Sequence, residues 1–134
     1  MTNDTANSAS TPDAQAASVG ANLDTSLIRL SGEVDMAWTA DVRRAILDAV
    51  ASAEKIEAIG VELSQVSYID SSGIAALVEG LQGAREKERR FVLIAVSGAV
   101  RAVLELARLD RVFTLIDGCD GLTIIAERSL SAPA

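Results

Sequence analysis

Tyr68-Ile69-Asp70-Ser71-Ser72-Gly73-Ile74 joins a stretch with strand periodicity to one with helix periodicity. Upstream, Ile59, Val61 and Leu63 alternate as in a buried strand; downstream, Ile74, Leu77, Val78 and Leu81 recur at i, i+3, i+4 and i+7. The acid, the two hydroxyls and the glycine between them fall where a helix would begin. Either serine could cap that helix through its side-chain oxygen. A hydroxyl there is also well placed for phosphorylation, because a helix N-terminus favours anions through its free N–H groups and its dipole. On residue chemistry alone the turn reads either as a cap or as a switch.

Working outward, Leu27, Ile28 and Leu30 predict a strand running into Gly32, with Gly32-Glu33-Val34-Asp35 as a second short strand or a turn. Thr39 or Asp41 could cap a first helix carried by Val42, Ala45, Ile46, Ala49 and Val50, with Arg43, Arg44 and Asp48 outward. Ile56 to Leu63 is the next strand, and the helix after Ser71 is expected to reach about Glu86. The run Arg85-Glu86-Lys87-Glu88-Arg89-Arg90 reads as a solvated helix end whose late cations suit the dipole. Phe91 to Val96 is a continuous apolar run, as in a central strand covered on both faces. Ser97 is a candidate cap for a third helix with Val100, Val103, Leu104 and Ala107 inward. Val112 to Ile116 predicts a short last strand, and Gly121 to Arg128 a final helical turn or two. The expected order is β-β-α-β-α-β-α-β-α, a single α/β domain with four or five mostly parallel or mixed strands and alternating helices. Residues 1–25, rich in Ala, Ser, Thr and Asn near their start, are expected to form a flexible tail. Residues 26–128 form the domain, and 129–134 a second tail.

Composition narrows the function. At 134 residues the chain can bury a real core, and with 49% apolar but only 3% aromatic residues that core must be aliphatic. The net charge of −7, with no basic stripe to offset it, argues against nucleic acid as a partner. Histidine is absent and Cys119 is the single cysteine, which removes Ser-His and Cys-His pairs, His- or Cys-based zinc sites and intrachain disulfides. No catalytic residues, metal site or cofactor are expected. Cys119, near Gly118 and Gly121 with only acids for charged neighbours, is expected to be unreactive. No apolar run is long enough to span a bilayer, and the N-terminus lacks the regions of a signal peptide. The expectation is therefore a cytoplasmic protein with no direct membrane insertion.

Acid plus serine at a helix start is ordinary capping chemistry. Here, however, the turn carries two hydroxyls where a cap needs one, and Gly73 would let another backbone approach closely. The turn also ends a buried strand, where open α/β sheets tend to bind ligands and partners. Ile69 to Leu77, IDSSGIAAL, resembles the signature of STAS domains, the family of bacterial anti-sigma factor antagonists. LSGEVD at Leu30 to Asp35 resembles that family's early Gly-Glu-Leu-Asp motif, with Val34 for the usual leucine. Ala99 to Leu115, AVRAVLELARLDRVFTL, resembles its third helix and last strand. The resemblance covers roughly Ser26 to Arg128.

It implies that Ser71, the first serine after the aspartate, is phosphorylated by a partner serine kinase that is itself the anti-sigma factor. Unphosphorylated, such an antagonist holds the anti-sigma factor; phosphorylated, it lets go, and a serine phosphatase resets it. On this reading Asp70 orients the loop, Ser72 caps the helix, Gly73 gives the partner room, and Glu33 to Asp35 extend the contact surface. The helix terminus would hold the added charge without refolding the domain. Asp35 is equally a plain turn residue. Trp38 is a hydrophobic staple under its own loop or a partner anchor. STAS domains also serve as small cytoplasmic subunits of ABC transporters that move phospholipids, docked on the permease or ATPase. Their motif often reads Asp-Thr, so the Ser71-Ser72 pair leans toward the switch.

Overall fold

The computed structural model describes residues 22–133. Its elements are β1 (Leu23–Val34), α1 (Thr39–Ala51), β2 (Ala58–Ile69), α2 (Ser71–Glu86), β3 (Arg90–Ile94), α3 (Gly98–Leu106), β4 (Thr114–Ile116) and β5 (Leu122–Ser131). The strands form one sheet in the order β4-β3-β2-β1-β5, and every neighbouring pair is parallel.

Alternation along the strands sorts side chains to two faces. Ile28 and Leu30 of β1, Ile59, Val61 and Leu63 of β2, and Phe91 and Leu93 of β3 form one cluster. It includes Val42, Ile46, Leu77, Leu81, Val100 and Leu104 from the three helices. On the other face Leu27, Val92 and Ile94 are buried under Cys119, Ile116, Leu122 and Ile124, none of them helical. Residues 91–96 were expected to be covered on both faces. The strand they form is covered by helices on one side and by the β4–β5 connection with its flanking strands on the other.

Helix α2 ends in a tight turn. Glu88 adopts φ 57° and the Arg89 N–H donates to the Ala84 carbonyl at 2.8 Å, a Schellman-type closure. The turn aims Arg89 at the end of α1, where its guanidinium donates to the carbonyls of Val50, Ser52 and Glu54 at 2.8, 2.9 and 3.0 Å. A cation on the last carbonyls of a helix answers both their missing partners and the dipole.

Several expectations from the sequence are corrected. Gly32 does not divide two strands. It sits at φ +102° between register shifts that bulge β1 against β2, so one strand runs through to Val34. Residues Gly121 to Arg128 are not helical. They lie in β5, paired along β1 from Leu23↔Leu122 to Ser31↔Ser131. The domain accordingly exceeds 26–128 at both ends, since β1 starts at Leu23 and β5 reaches Ser131. The tail expected over the first 21 residues lies outside the described residues. Neither Thr39 nor Asp41 caps α1, because the preceding turn already serves its first N–H groups. The Asp35 carbonyl accepts from Trp38 and Thr39, both at 2.9 Å, and Asp35 Oδ1 accepts from Ala37 at 3.0 Å. Ser97 does cap α3, accepting from the Val100 N–H at 3.3 Å. Ala107, expected inward, is exposed beyond the helix end.

Candidate functional site

The Asp70 turn lies at the C-terminal end of β2, held against the end of β1. The Asp70 N–H donates to the Val34 carbonyl at 3.1 Å, and Glu33 and Val34 pair in register with Tyr68 and Ile69. The GEVD and IDSSG segments, far apart in sequence, therefore form one surface.

The N-cap of α2 is Asp70, not Ser72. Its Oδ1 accepts from the backbone N–H groups of Ser72 and Gly73 at 2.9 and 3.1 Å and from the Ser72 hydroxyl at 2.6 Å. Oδ2 accepts from the Met36 N–H at 3.1 Å. Asp70 is the residue just outside the helix, so its carboxylate faces the helix-start N–H groups, whereas Ser72 already lies within the first turn. The Ser72 hydroxyl, and behind it the N–H groups of Gly73, Ser72 and Met36, hold the Asp70 carboxyl below its ordinary range, against a smaller desolvation effect.

Ser72 is thereby tied down. Its Oγ also lies 2.8 Å from Thr39 Oγ1, which lies 2.8 Å from the Asp35 carbonyl. Ser71 is exposed at the first position of α2, while Ser72 is half-buried. Gly73 is buried, and the room it leaves is used inside the domain. A Cβ there would stand 2.6 Å from Ile69 Cγ1 and 2.9 Å from Val34 Cγ1.

The expectation that the helix terminus would hold a phosphate meets a prior occupant. Two of the first-turn N–H groups already serve Asp70, so a phosphate on Ser71 would sit beside a carboxylate instead of replacing one.

Exposed apolar residues mark the segments that flank the Asp70 turn. Met36 is 79% exposed and Tyr68 50% exposed, with Ala37 and Ala75 also exposed and Glu33 at the margin. Neither Met36 nor Tyr68 carried a role in the sequence reading, since no periodicity marks a residue that faces outward from a turn. A groove of about 580 Å³ adjoins the loop, with Glu33, Asp35 and Ala37 in its wall. Trp38 backs it, but at 4% exposure it belongs to the core. Among the described residues no group of three or more Cys, Asp or Glu has the geometry to hold a metal ion, and no helix is long and apolar enough to cross a membrane.

Residues 17–117 match the family model described as Mlab, STAS domain. The fold is similar to a candidate anti-sigma factor antagonist from Thermotoga maritima, with TM-score 0.58 and 24% identity over 65% of this chain and 74% of that one. It is also similar to the anti-sigma factor antagonist SpoIIAA in its unphosphorylated form, with TM-score 0.56 and 23% identity over 72% of this chain and 83% of that one. A sulfate transporter family protein from Wolinella succinogenes gives TM-score 0.62 and 18% identity, over 72% of this chain and 80% of that one.

Proposed function

Because the chain belongs to the STAS domain family, we propose that it is an anti-sigma factor antagonist, a cytoplasmic binding module switched by phosphorylation of Ser71 and not an enzyme. The observation that carries this reading is the division of labour within the serine pair. Ser72 is bound to Asp70 and Thr39, whereas Ser71 is exposed and its hydroxyl makes no hydrogen bond with a described residue. The unphosphorylated surface offers a partner apolar contact area framed by Glu33, Asp35 and Asp70. Phosphate adds about −1.5 to −2 charges at pH 7. With Asp70 already saturated by donors, that charge stays on the surface, where a docked partner would have to desolvate it. The partners are an anti-sigma factor serine kinase that binds the unmodified face and a serine phosphatase that restores it.

A second reading has its own support: the sulfate transporter family neighbour fits a docking subunit of a transporter. In that case the same face would dock on an ABC permease or ATPase, and Ser71 would be a bystander.

The test uses the wild type, Ser71→Ala and Ser71→Asp as baits in a native lysate, with the captured proteins identified and the phosphosite mapped after incubation with ATP. A kinase-type ATPase held by the wild type and Ser71→Ala but lost by Ser71→Asp, with phosphate on Ser71, is the expected result. Phosphate confined to Ser72, or equal capture of that ATPase by all three baits, overturns the switch. A permease and ABC ATPase captured by all three establishes the second reading.

A further inference from the structure

At the opposite end of the sheet from Ser71, where the parallel strands begin, the fold brings a distant arginine to the Arg85–Arg90 run. Arg85, Arg89 and Arg90 come from the end of α2 and the start of β3, and Arg111 arrives from the turn before β4. Together they line a groove of about 460 Å³ whose wall includes Val112 and contains no acidic residue. In the sequence the Arg85–Arg90 run is mixed in sign and reads as a solvated helix end. The Schellman turn undoes that mixture, leaving Glu86, Lys87 and Glu88 out of the lining to which the arginines contribute.

The four guanidinium groups are not equivalent. Arg89 is committed to the carbonyls at the end of α1. Arg85 and Arg111 are exposed, and neither side chain makes a hydrogen bond or ion pair with a described residue. By contrast, Arg29 and Arg43 are paired with Glu127 and Glu79 at 2.8 and 2.7 Å. In a chain of net charge −7 with nineteen acids, a groove lined by four arginines and no acid stands out.

We infer that this groove is a docking site for a short acidic peptide segment of a partner protein, with carboxylates on Arg85 and Arg111 and an apolar side chain against Val112, which is 42% exposed. Two features favour that occupant. The overall negative charge repels extended polyanions such as nucleic acid or an anionic membrane, while a short segment brings its few charges only within close range, where the local arginines dominate. A bare phosphate would leave Val112 in water. Arginine forks recognise carboxylates bidentately.

The full chain, labelled with ¹⁵N, is titrated in low salt with an acetylated, amidated peptide Glu-Asp-Leu-Glu-Asp, with its Lys-Lys-Leu-Lys-Lys counterpart, and with inorganic phosphate. Expected are shifts of the backbone amides of residues 85–92 and 111–114 by the acidic peptide alone. The Asp70–Gly73 amides should stay still, and affinity should fall at least about tenfold in Arg85→Glu/Arg111→Glu and by a smaller factor in Arg111→Gln. An unchanged spectrum outside the groove confirms that each variant is folded. No shifts at the groove, equal affinity for inorganic phosphate, or unchanged affinity in both variants overturns the proposal.

Discussion

Thr39 Oγ1 and Ser72 Oγ lie 2.8 Å apart, joining the first turns of α1 and α2 through their side chains. Three short oxygen contacts, Asp35 to Thr39, Thr39 to Ser72 and Ser72 to Asp70, have two hydroxyl protons between them. The Asp70 carboxylate and the Asp35 carbonyl can only accept, so the Ser72 hydroxyl donates to Asp70 and the Thr39 hydroxyl donates to Asp35. The two hydroxyl oxygens meet at 2.8 Å between those acceptors, where either one can turn to donate to the other. Thr39→Val, which keeps the shape and removes the hydroxyl that meets Asp35 and Ser72, is expected to cost about 1 kcal/mol in urea unfolding. An unchanged midpoint would show that the Thr39 hydroxyl holds nothing.

The depressed Asp70 pKa makes part of the stability pH-dependent. A carboxyl that ionises more easily when folded contributes fully above its unfolded pKa of about 3.9, and that contribution fades as pH falls through the lower folded value. Asp70→Asn keeps an oxygen that can cap α2 but cannot titrate. The stability difference between wild type and Asp70→Asn should therefore be constant from pH 7 to about pH 5 and shrink as acid is added below about pH 4. A difference that stays constant down to pH 2.5 would rule out the charge as the source of the effect.

Gly73→Ala pits two effects against each other. Alanine gains about 1 kcal/mol over glycine in a helix. Its Cβ, however, would press to 2.6 Å on Ile69 Cγ1 and 2.9 Å on Val34 Cγ1, branch atoms close to the backbone of two buried strands. Overpacking of that kind costs about 1–3 kcal/mol, so net destabilisation is expected, seen as a lowered Tm with an unchanged far-UV spectrum at low temperature. A raised Tm would mean that the strands yield.

How much of this was legible in the sequence follows from which groups carry a periodic signal. The junction at Asp70 was readable because strand and helix periods meet there, and the extent of α2 followed. The identity of its cap was not, because aspartate and two serines all suit the position and only the geometry decides which oxygen reaches the N–H groups. β5 was missed although Leu122, Ile124 and Ala126 alternate. Ile125, 42% exposed, interrupts the pattern, and Glu127-Arg128 next to it reads as a solvated helix surface. The break at Gly32 was misread because a bulge and a turn use the same residue for the same positive φ. The groove arginines were invisible as a group, since Arg111 joins the others only through the fold.

Arg89 tests whether a single side chain closes the end of α1. Its three donated hydrogen bonds go to backbone carbonyls at and just beyond the last turn, whose own helical partners are absent. Removing the guanidinium in Arg89→Met keeps most of the aliphatic stem, so the loss is polar, about 1–3 kcal/mol for hydrogen bonds from a charged group that is partly open to water. Arg89→Lys keeps the charge near the helix end, yet one ammonium cannot span three carbonyls as a planar fork does, so it should recover less than half of the loss. Hydrogen exchange separates this from a general weakening: amides in the last turn of α1 should lose protection in Arg89→Met while those in the first turn of α2, held by Asp70, keep theirs. Equal loss in both helices would mean that Arg89 supports the domain as a whole instead of the end of one helix.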